Sequence, residues 1–295
     1  MSGRPRVVER PTVAFAGEPG AFAEDAVLAF FRDPEPVAVA SFRDVFDAVA
    51  EGRVQAGVSP IENAVAGTIR ETHDLLYAKY EAGVRVVGEV TVPVRLALLA
   101  LPGQAIEDID RVYSHQQALA QADEFLRTRP WTVMSAYNTA GAAKLIADRN
   151  ERGSAAVASP RVANLYGLAV LVDRIEASDA NRTRFAVIGR DGLADGVARS
   201  ADRETGPRTT LVFAVRNVPG SLHRSLGAFA ARGLNLSRLE SRPWTDRGAG
   251  WEYVFWVDLD ADPSTNAAAA EALDELAHET ELVRILDTYP RAREG

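Results

Sequence analysis

The 295-residue chain contains no cysteine, which excludes disulfide bridges, thiolate nucleophiles and cysteine-ligated metal ions. Its four histidines (His73, His115, His223 and His278) form no HxH or HxxxH pair. A histidine-built metal site therefore has little support, and we expect no metal ion.

The sequence also lacks an excess of positive charge. The formal net charge is -8 and the pI is about 5.2, so a general nucleic-acid binder is not expected. No apolar run reaches the length of a membrane span, and "MSGRPRVVERP" has no apolar core of the kind that signal peptides contain. We expect a cytoplasmic protein that does not bind membranes.

The sharpest change in composition predicts two domains. Residues 191–207, "DGLADGVARSADRETGP", are rich in Gly, Asp, Arg and Ala without an apolar period, which is typical of a linker. It would separate a first domain, residues 11–190, from a second, residues 208–292. In the second domain, strand-like and helix-like segments alternate in the order βαββαβ, the ferredoxin-like arrangement. Its polar turn "TDRGAG" would join two of the strands.

The first domain alternates short apolar runs with helical stretches, which predicts α/β layers with a mainly parallel sheet. Several strand-to-helix junctions are small or polar: "FAGEPGAFAE", "SPIEN", "YSHQQ" and "YNTAG". Crevices at such junctions bind ligands, and helix N-termini favour carboxylates or phosphates. "GEPG" matches neither a Walker loop nor GxGxxG, so nucleotide binding has little support.

The segment "DANRTRFAVIG", residues 179–189, places Thr183 between Arg182 and Arg184, with Asn181 nearby. It could be a strand edge with solvated charges, or an anion site with a hydroxyl aimed at the ligand. From the residues alone we expect a cleft for a small anionic molecule, with Arg184 as its charge partner. Glu62 and His115 could be catalytic or structural.

Taken in order, these segments resemble the prephenate dehydratase family over almost the whole chain. The similarity rests on "GEPGAFAEDA", "GVSPIENAVAGTI", "GEVTVPVRLALLALPG", "YSHQQALAQADEFL", "NTAGAAKLIA", "AAVASPRVANLYGLAVL", "NRTRFAVIGR" and "VPGSLHRSLGAFAARGLNLSRLESRPW". The last resembles the ACT regulatory domain of these enzymes.

The resemblance implies a two-lobed catalytic domain like a type II periplasmic binding protein, followed by a ferredoxin-like ACT domain. It implies cofactor-free conversion of prephenate to phenylpyruvate, with loss of water and carbon dioxide. It also implies feedback inhibition by L-phenylalanine and a homodimer or homotetramer.

Site residues follow from the matching motifs. Thr183 would donate a proton to the leaving hydroxyl, and Arg184 would hold a carboxylate. The implied substrate-binding residues are Glu62, Asn63, Ser114, His115, Gln117, Thr139, Ala140, Asn181 and Phe185. The implied phenylalanine-binding residues are Pro219, Gly220, Ser221, Leu222, Asn235, Leu236, Glu240, Ser241, Arg242 and Pro243.

Five positions depart from the family pattern: Ala16, Ala23, Ala64, Gln116 and Asn138. The loss of hydroxyls at Ala23 and Ala64 leaves three alternatives open. The substrate could be arogenate, the reaction could be a decarboxylation that does not aromatise the ring, or the chain could be a non-catalytic sensor of an aromatic acid and an amino acid.

Overall fold

The computed structural model describes residues 10–190, 204–243 and 253–292. These residues form two α/β lobes and a smaller C-terminal unit, each built on one sheet. No helix within the described ranges has the length and apolar character that a membrane crossing needs.

The first lobe is built on a sheet with strand order β2-β1-β3-β11-β5 and with β4 paired to β3. Its strands are β1 (Thr12–Ala16), β2 (Glu35–Val39), β3 (Ala56–Asn63), β4 (Gly67–Thr68), β5 (Val84–Pro93) and β11 (Arg182–Arg190). Its helices are α1 (Phe22–Phe30), α2 (Phe42–Ala50) and α3 (Arg70–Ala78). Helix α1 packs on one face of the sheet, and α2 and α3 pack on the other.

The second lobe lies in the chain between β5 and β11, and its strand order is β10-β6-β9-β7-β8. Its strands are β6 (Ala97–Ala100), β7 (Arg111–Ser114), β8 (Thr132–Ser135), β9 (Ser154–Ala158) and β10 (Ala169–Val172). Its helices are α4 (Gln116–Gln121), α5 (Asp123–Leu126), α6 (Thr139–Arg149) and α7 (Arg161–Tyr166). The α/β fold in two lobes is as predicted.

The C-terminal unit confirms the ferredoxin-like βαββαβ prediction. It consists of β12 (Glu204–Ala214), α8 (Ser221–Ala230), β13 (Leu236–Pro243), β14 (Tyr253–Leu259), α9 (Ala267–Glu279) and β15 (Leu282–Ala292). The sheet order is β13-β14-β12-β15 and every neighbouring pair is antiparallel. Helices α8 and α9 cover one face.

The other face of this sheet packs against the first lobe. Trp256 of β14 meets His73 of α3 edge to face, with ring centroids 5.0 Å apart. Asp287 of β15 accepts a hydrogen bond from the Val86 amide of β5 at 2.6 Å. Burial lowers the pKa of His73 to about 3, so its ring is neutral and packs as an apolar group. The C-terminal unit is thereby seated on the lobe that carries β11.

Three local predictions are corrected. The sheets are mixed rather than mainly parallel, because β11 is antiparallel to both β3 and β5, and β6 to both β9 and β10. The segment after "SPIEN" does not enter a helix at once: β4 first folds back on Glu62, and α3 begins at Arg70. The proposed linker ends early because β12 begins at Glu204, while residues 191–203 and the "TDRGAG" turn lie outside the described residues.

Candidate functional site

A cleft of about 450 Å³ opens between the two lobes. The first lobe lines it with Ala16, Gly17, Ala21, Phe22, Ala23, Ala40, Ser41, Phe42, Pro60, Asn63, Ile69, Glu71, Thr183 and Phe185. The connection to the second lobe contributes Val94, and that lobe contributes His115, Gln117, Ala118, Gln121, Tyr137, Asn138 and Thr139. The apolar residues and the neutral donors suit a small ring-bearing anion.

Thr183 lies on β11, the strand between β3 and β5 at the floor of this cleft. It is 8% exposed, and its hydroxyl oxygen accepts a hydrogen bond from Asn63 Nδ2 at 2.9 Å. The same Nδ2 also lies 3.0 Å from Asn181 Oδ1 and 3.2 Å from the Arg182 carbonyl oxygen. The hydrogen bond from Asn63 thus holds the Thr183 hydroxyl in place.

The orientation of the Asn63 amide follows from its other contacts. Asn63 Oδ1 accepts from the amides of Val65 and Ala66 at 3.1 and 2.9 Å, so Nδ2 must be the group that faces Thr183. Because Nδ2 can only donate, the Thr183 oxygen acts as its acceptor. The hydroxyl proton of Thr183 is therefore left available to a ligand in the cleft.

Helix N-termini supply further donors at the rim. Ser41 begins α2 and its hydroxyl accepts from the Asp44 amide at 3.2 Å. Asn138 begins α6 and its side chain accepts from the Gly141 amide. Helix α1 follows Ala21, whose side chain makes no capping hydrogen bond. Three helices of nine or more residues thus start at the cleft, where unpaired backbone N–H groups favour an anion.

The charges in the cleft differ from those that the sequence suggested. Among the described lining residues there is no Arg or Lys, and Glu71 is the acidic one. His115 Nδ1 accepts from the Gln117 amide at 3.3 Å, so this ring nitrogen is engaged by the backbone at the start of α4. The cleft therefore offers a ligand backbone N–H groups and polar side chains rather than an arginine or lysine from its described lining.

Contacts between the lobes close one side of the cleft. Glu18 of the first lobe accepts from Tyr137 Oη at 2.7 Å and from Lys144 Nζ at 2.9 Å, both in the second lobe. Those two hydrogen bonds, from Tyr137 first and then Lys144, lower the pKa of Glu18. Tyr166 Oη also donates to the Pro19 carbonyl at 2.8 Å. The "GEPG" turn is thus a contact between lobes.

Arg184 does not lie in this cleft, contrary to the role expected of it. Successive residues of a strand point to opposite faces, so Thr183 faces the cleft and Arg184 faces the C-terminal unit. Its guanidinium pairs with Glu62 at 2.8 Å, Asp258 at 3.0 Å and Glu89 at 3.1 Å. Glu62 lies with it and does not line the cleft either.

The other predicted substrate residues divide into two groups. Asn63, His115, Gln117, Thr139 and Phe185 line the cleft. Ser114, Ala140 and Asn181 are buried beside it: the Ser114 hydroxyl donates to the Val157 carbonyl at 2.6 Å, Ala140 is fully buried, and Asn181 accepts from Asn63.

The predicted effector residues fall on two faces of the C-terminal unit. Leu222 and Leu236 pack with the core beneath α8 and α9. The strand register shifts between Leu236 and Arg238. Beyond the shift, Arg242 pairs with Glu240 and, across the boundary, with Asp74 of the first lobe. Pro219, Gly220, Asn235, Ser241 and Pro243 are exposed, and Ser221 is buried at the start of α8.

Sequence reasoning missed several lining residues, among them Ser41, Phe42, Gln121 and Tyr137. Ser41 carried a usable signal, since Ser followed three residues later by Asp44 before an apolar run is typical of a helix start. Gln121 lies one helical turn beyond Gln117, so spacing alone would have placed the two on one face.

Two α/β lobes enclosing a cleft, with a ferredoxin-like unit seated on one lobe, define a two-lobed small-molecule-binding class of protein. The family model for prephenate dehydratase matches residues 13–192. The chain is also 36% identical over 288 residues to arogenate dehydratase/prephenate dehydratase 2 of Arabidopsis thaliana, covering 95% of this chain and 73% of that protein. The chain therefore belongs to the prephenate dehydratase family.

Two solved structures extend the similarity to the C-terminal unit. Prephenate dehydratase from Arthrobacter aurescens, in complex with L-Phe, superposes with a TM-score of 0.79 at 29% identity, covering 96% of this chain and 90% of that chain. GqqA, described as a novel type of quorum-quenching acylase, superposes with a TM-score of 0.82 at 33% identity, covering 95% of this chain and 98% of that chain.

Proposed function

We propose that this protein is a cytoplasmic prephenate dehydratase that forms phenylpyruvate, water and carbon dioxide. The observation that carries the proposal is the Asn63–Thr183 pair. Asn63 Nδ2 donates to the Thr183 hydroxyl oxygen at 2.9 Å, which leaves the hydroxyl proton for a ligand in the cleft. Prephenate needs such a proton because hydroxide is a poor leaving group. General acid catalysis of this kind contributes roughly 10²–10⁴-fold in rate.

The proposed reaction balances without a cofactor. Thr183 donates its proton to the ring hydroxyl, and the C–O bond breaks to release water. The bond between the ring and its carboxylate also breaks. Its electron pair moves into the ring and completes the aromatic system, and carbon dioxide leaves. Asn63 Nδ2 stabilises the Thr183 oxygen as its proton departs, and solvent restores that proton.

Binding of the two carboxylates is assigned to the starts of α1, α2 and α6 with the neutral donors around them. Oriented N–H groups stabilise anions without a mobile counter-charge. Phenylalanine is the proposed effector at the C-terminal unit, because the similar Arthrobacter aurescens structure is a complex with L-Phe. A homodimer or homotetramer is proposed as well, on the family resemblance alone.

Product identification with Thr183→Val tests the proposal directly. Purified protein is incubated with prephenate, and the product is identified by mass and ultraviolet spectrum. We expect phenylpyruvate from the natural protein and a loss of roughly 10²–10⁴-fold in kcat for Thr183→Val, with Thr183→Ser retaining most of the rate. A decarboxylated non-aromatic product would assign the decarboxylase reaction instead, and binding without turnover would support the sensor.

Arogenate is a second candidate substrate because Glu71 lines the cleft. Arogenate carries an ammonium group where prephenate has a keto group, and an exposed carboxylate attracts an ammonium by roughly 0.2–1 kcal/mol. Glu71→Gln is therefore expected to lower kcat/KM for arogenate by no more than about fivefold and to leave or raise that for prephenate. Glu107→Gln, an exposed change outside the described cleft lining, is the matched control.

The similarity to the acylase GqqA raises amide hydrolysis as another possible reaction, but the cleft fits it less well. A nucleophilic threonine needs a base to take its proton. The hydrogen bond at Thr183 comes from Asn63, whose amide nitrogen accepts no proton.

A further inference from the structure

A buried charge cluster joins the strand of Thr183 to the C-terminal unit. It comprises Arg184 and Glu89 of the first lobe with Asp258, Arg208 and Arg238 of the C-terminal unit. The side chains of Glu89 and Asp258 are each 1% exposed, and those of the three arginines are 5–14% exposed.

Each buried carboxylate in the cluster is held from both sides of the boundary. Glu89 accepts from Arg184 at 3.1 Å and from Arg208 at 2.8 Å. Asp258 accepts from Arg184 at 3.0 Å and from both Arg238 Nε and Nη2 at 2.9 Å. Without the C-terminal members, Arg184 and Glu89 would keep each other but would each lose a buried partner from across the boundary.

Arg184 is the member of the cluster on β11, adjacent to the proposed proton donor. Residue 183 pairs with Asn63 and Val92, and residue 184 pairs with Glu62 and Thr91, so the two residues share one section of the sheet. Because three carboxylates hold the buried Arg184 side chain, a displacement of the β11 backbone at this residue would strain those ion pairs and would also move Thr183.

We propose that Arg184 is a positioning residue, through which Asp258 of the C-terminal unit holds the strand of Thr183 in its productive place. Arg184 contacts carboxylates of the protein rather than of the substrate. The proposal rests on the proposed function where it is tested by kinetics, but not where it is tested by amide hydrogen exchange.

The test compares Asp258→Asn with Asp74→Asn as the matched control. Asp74 forms a 2.6 Å ion pair with Arg242 across the same boundary but lies on α3, away from β11. We expect Asp258→Asn to lower kcat by about 10- to 100-fold with KM changed less than about twofold, since a misplacement of about 1 Å costs up to that much. Asp74→Asn is expected to change neither.

Amide hydrogen exchange supplies the second readout. Peptides covering 182–190 are expected to exchange faster in Asp258→Asn and unchanged in Asp74→Asn. Arg184→Lys is expected to lie between the natural protein and Asp258→Asn, because one ammonium cannot reproduce the guanidinium contacts to three carboxylates. If Asp258→Asn does not fold, Asp258→Glu carries the test with the same expected direction.

Two results would overturn the proposal. One is Asp258→Asn behaving like Asp74→Asn in both readouts. The other is Arg184→Lys raising KM with kcat retained, which would return Arg184 to carboxylate binding. If the natural protein turned over neither prephenate nor arogenate, the proposed function would fail while the exchange comparison still decided the coupling.

Discussion

At the scale of single residues, Asn63 is the side chain that orients the hydroxyl of Thr183, the proposed proton donor. Its oxygen is committed to two backbone amides and its nitrogen to Thr183, Asn181 and a carbonyl. A buried amide with this many partners has one orientation. The Thr183 hydroxyl accepts a hydrogen bond from Asn63 and can donate its own proton to another group.

Asn63→Asp would reverse that arrangement. An aspartate keeps the oxygen for Val65 and Ala66 but accepts the Thr183 proton, which then points away from the cleft. We expect kcat to fall by roughly 10²–10⁴-fold with the fold retained, as measured by steady-state kinetics and circular dichroism. An unchanged kcat would mean that the direction of this hydrogen bond does not matter to turnover.

Of the two residues expected to act on the substrate, Thr183 lines the cleft and Arg184 is not among the described lining residues. From the sequence this segment could be a strand edge or an anion site, whereas the structure makes Arg182–Arg190 one strand, β11, in which alternation places residues 183 and 184 on opposite faces. The partners of Arg184 could not have been found in the motif, because Glu89 and Asp258 are 95 and 74 residues away in the chain.

At the scale of elements, the turn before α1 fixes the distance between the lobes. Gly20 has φ +93°, and a Cβ there would lie 2.8 Å from Val162 Cγ2 of α7 in the other lobe. Arg161 of α7 also pairs with Glu24 and Asp25 of α1. Helices from different lobes thus meet at a residue with no side chain.

Gly20→Ala is expected to destabilise the protein more than Gly103→Ala. Gly103 has φ +76°, and a Cβ added there would meet nothing within 4 Å, so alanine at this position incurs backbone strain alone, about 1–2 kcal/mol. Overpacking against Val162 adds about 1–3 kcal/mol at Gly20. Urea unfolding of both variants measures the difference. Equal losses in the free energy of unfolding would show that α7 moves away from the added methyl group without cost.

Most elements were readable from the sequence because their apolar periods are strong, as for β1, α9 and the βαββαβ order. The stretch after "SPIEN" was misread as helix from Ala64 onward. There the Asn63 side chain accepts from the amides of Val65 and Ala66, which closes a tight turn and sends β4 back along β3. A side chain that satisfies local amides competes with a helix start in just this way.

At the scale of the whole molecule, the charge cluster links stability to pH. Burial opposes ionisation of Asp258, but Arg238 and Arg184 outweigh it and hold its pKa below the ordinary value of about 3.9. The folded state therefore keeps this carboxylate ionised where the unfolded state takes up a proton. Its contribution is present above the ordinary pKa and is lost as pH falls below it.

We expect the free energy of unfolding to start falling below about pH 5 and to keep falling below pH 3, as measured by urea titration at several pH values. Asp258→Asn should be less stable at pH 7 and show a flatter decline, whereas Asp74→Asn should keep the natural slope. Parallel slopes for the natural protein and Asp258→Asn would place the acid sensitivity elsewhere.

The seating of the third sheet could not be predicted. Alternation in β13 and β14 shows that each has two distinct faces, but Arg238, Arg242 and Asp258 read as solvated charges when taken alone. Their burial depends on charges supplied by β5, β11 and α3.

The position of β11 in the chain also sets an order of assembly. Residues between β5 and β11 form the whole second lobe, so that lobe is contiguous, whereas the first lobe lacks a central strand until residue 190 has been synthesised. During synthesis from the N-terminus, β3 and β5 must wait with one edge unpaired, and the second lobe can fold before the first. The strand that completes the first sheet is the one that carries Thr183, so a chain that ends before β11 would have neither a complete first lobe nor the proposed proton donor.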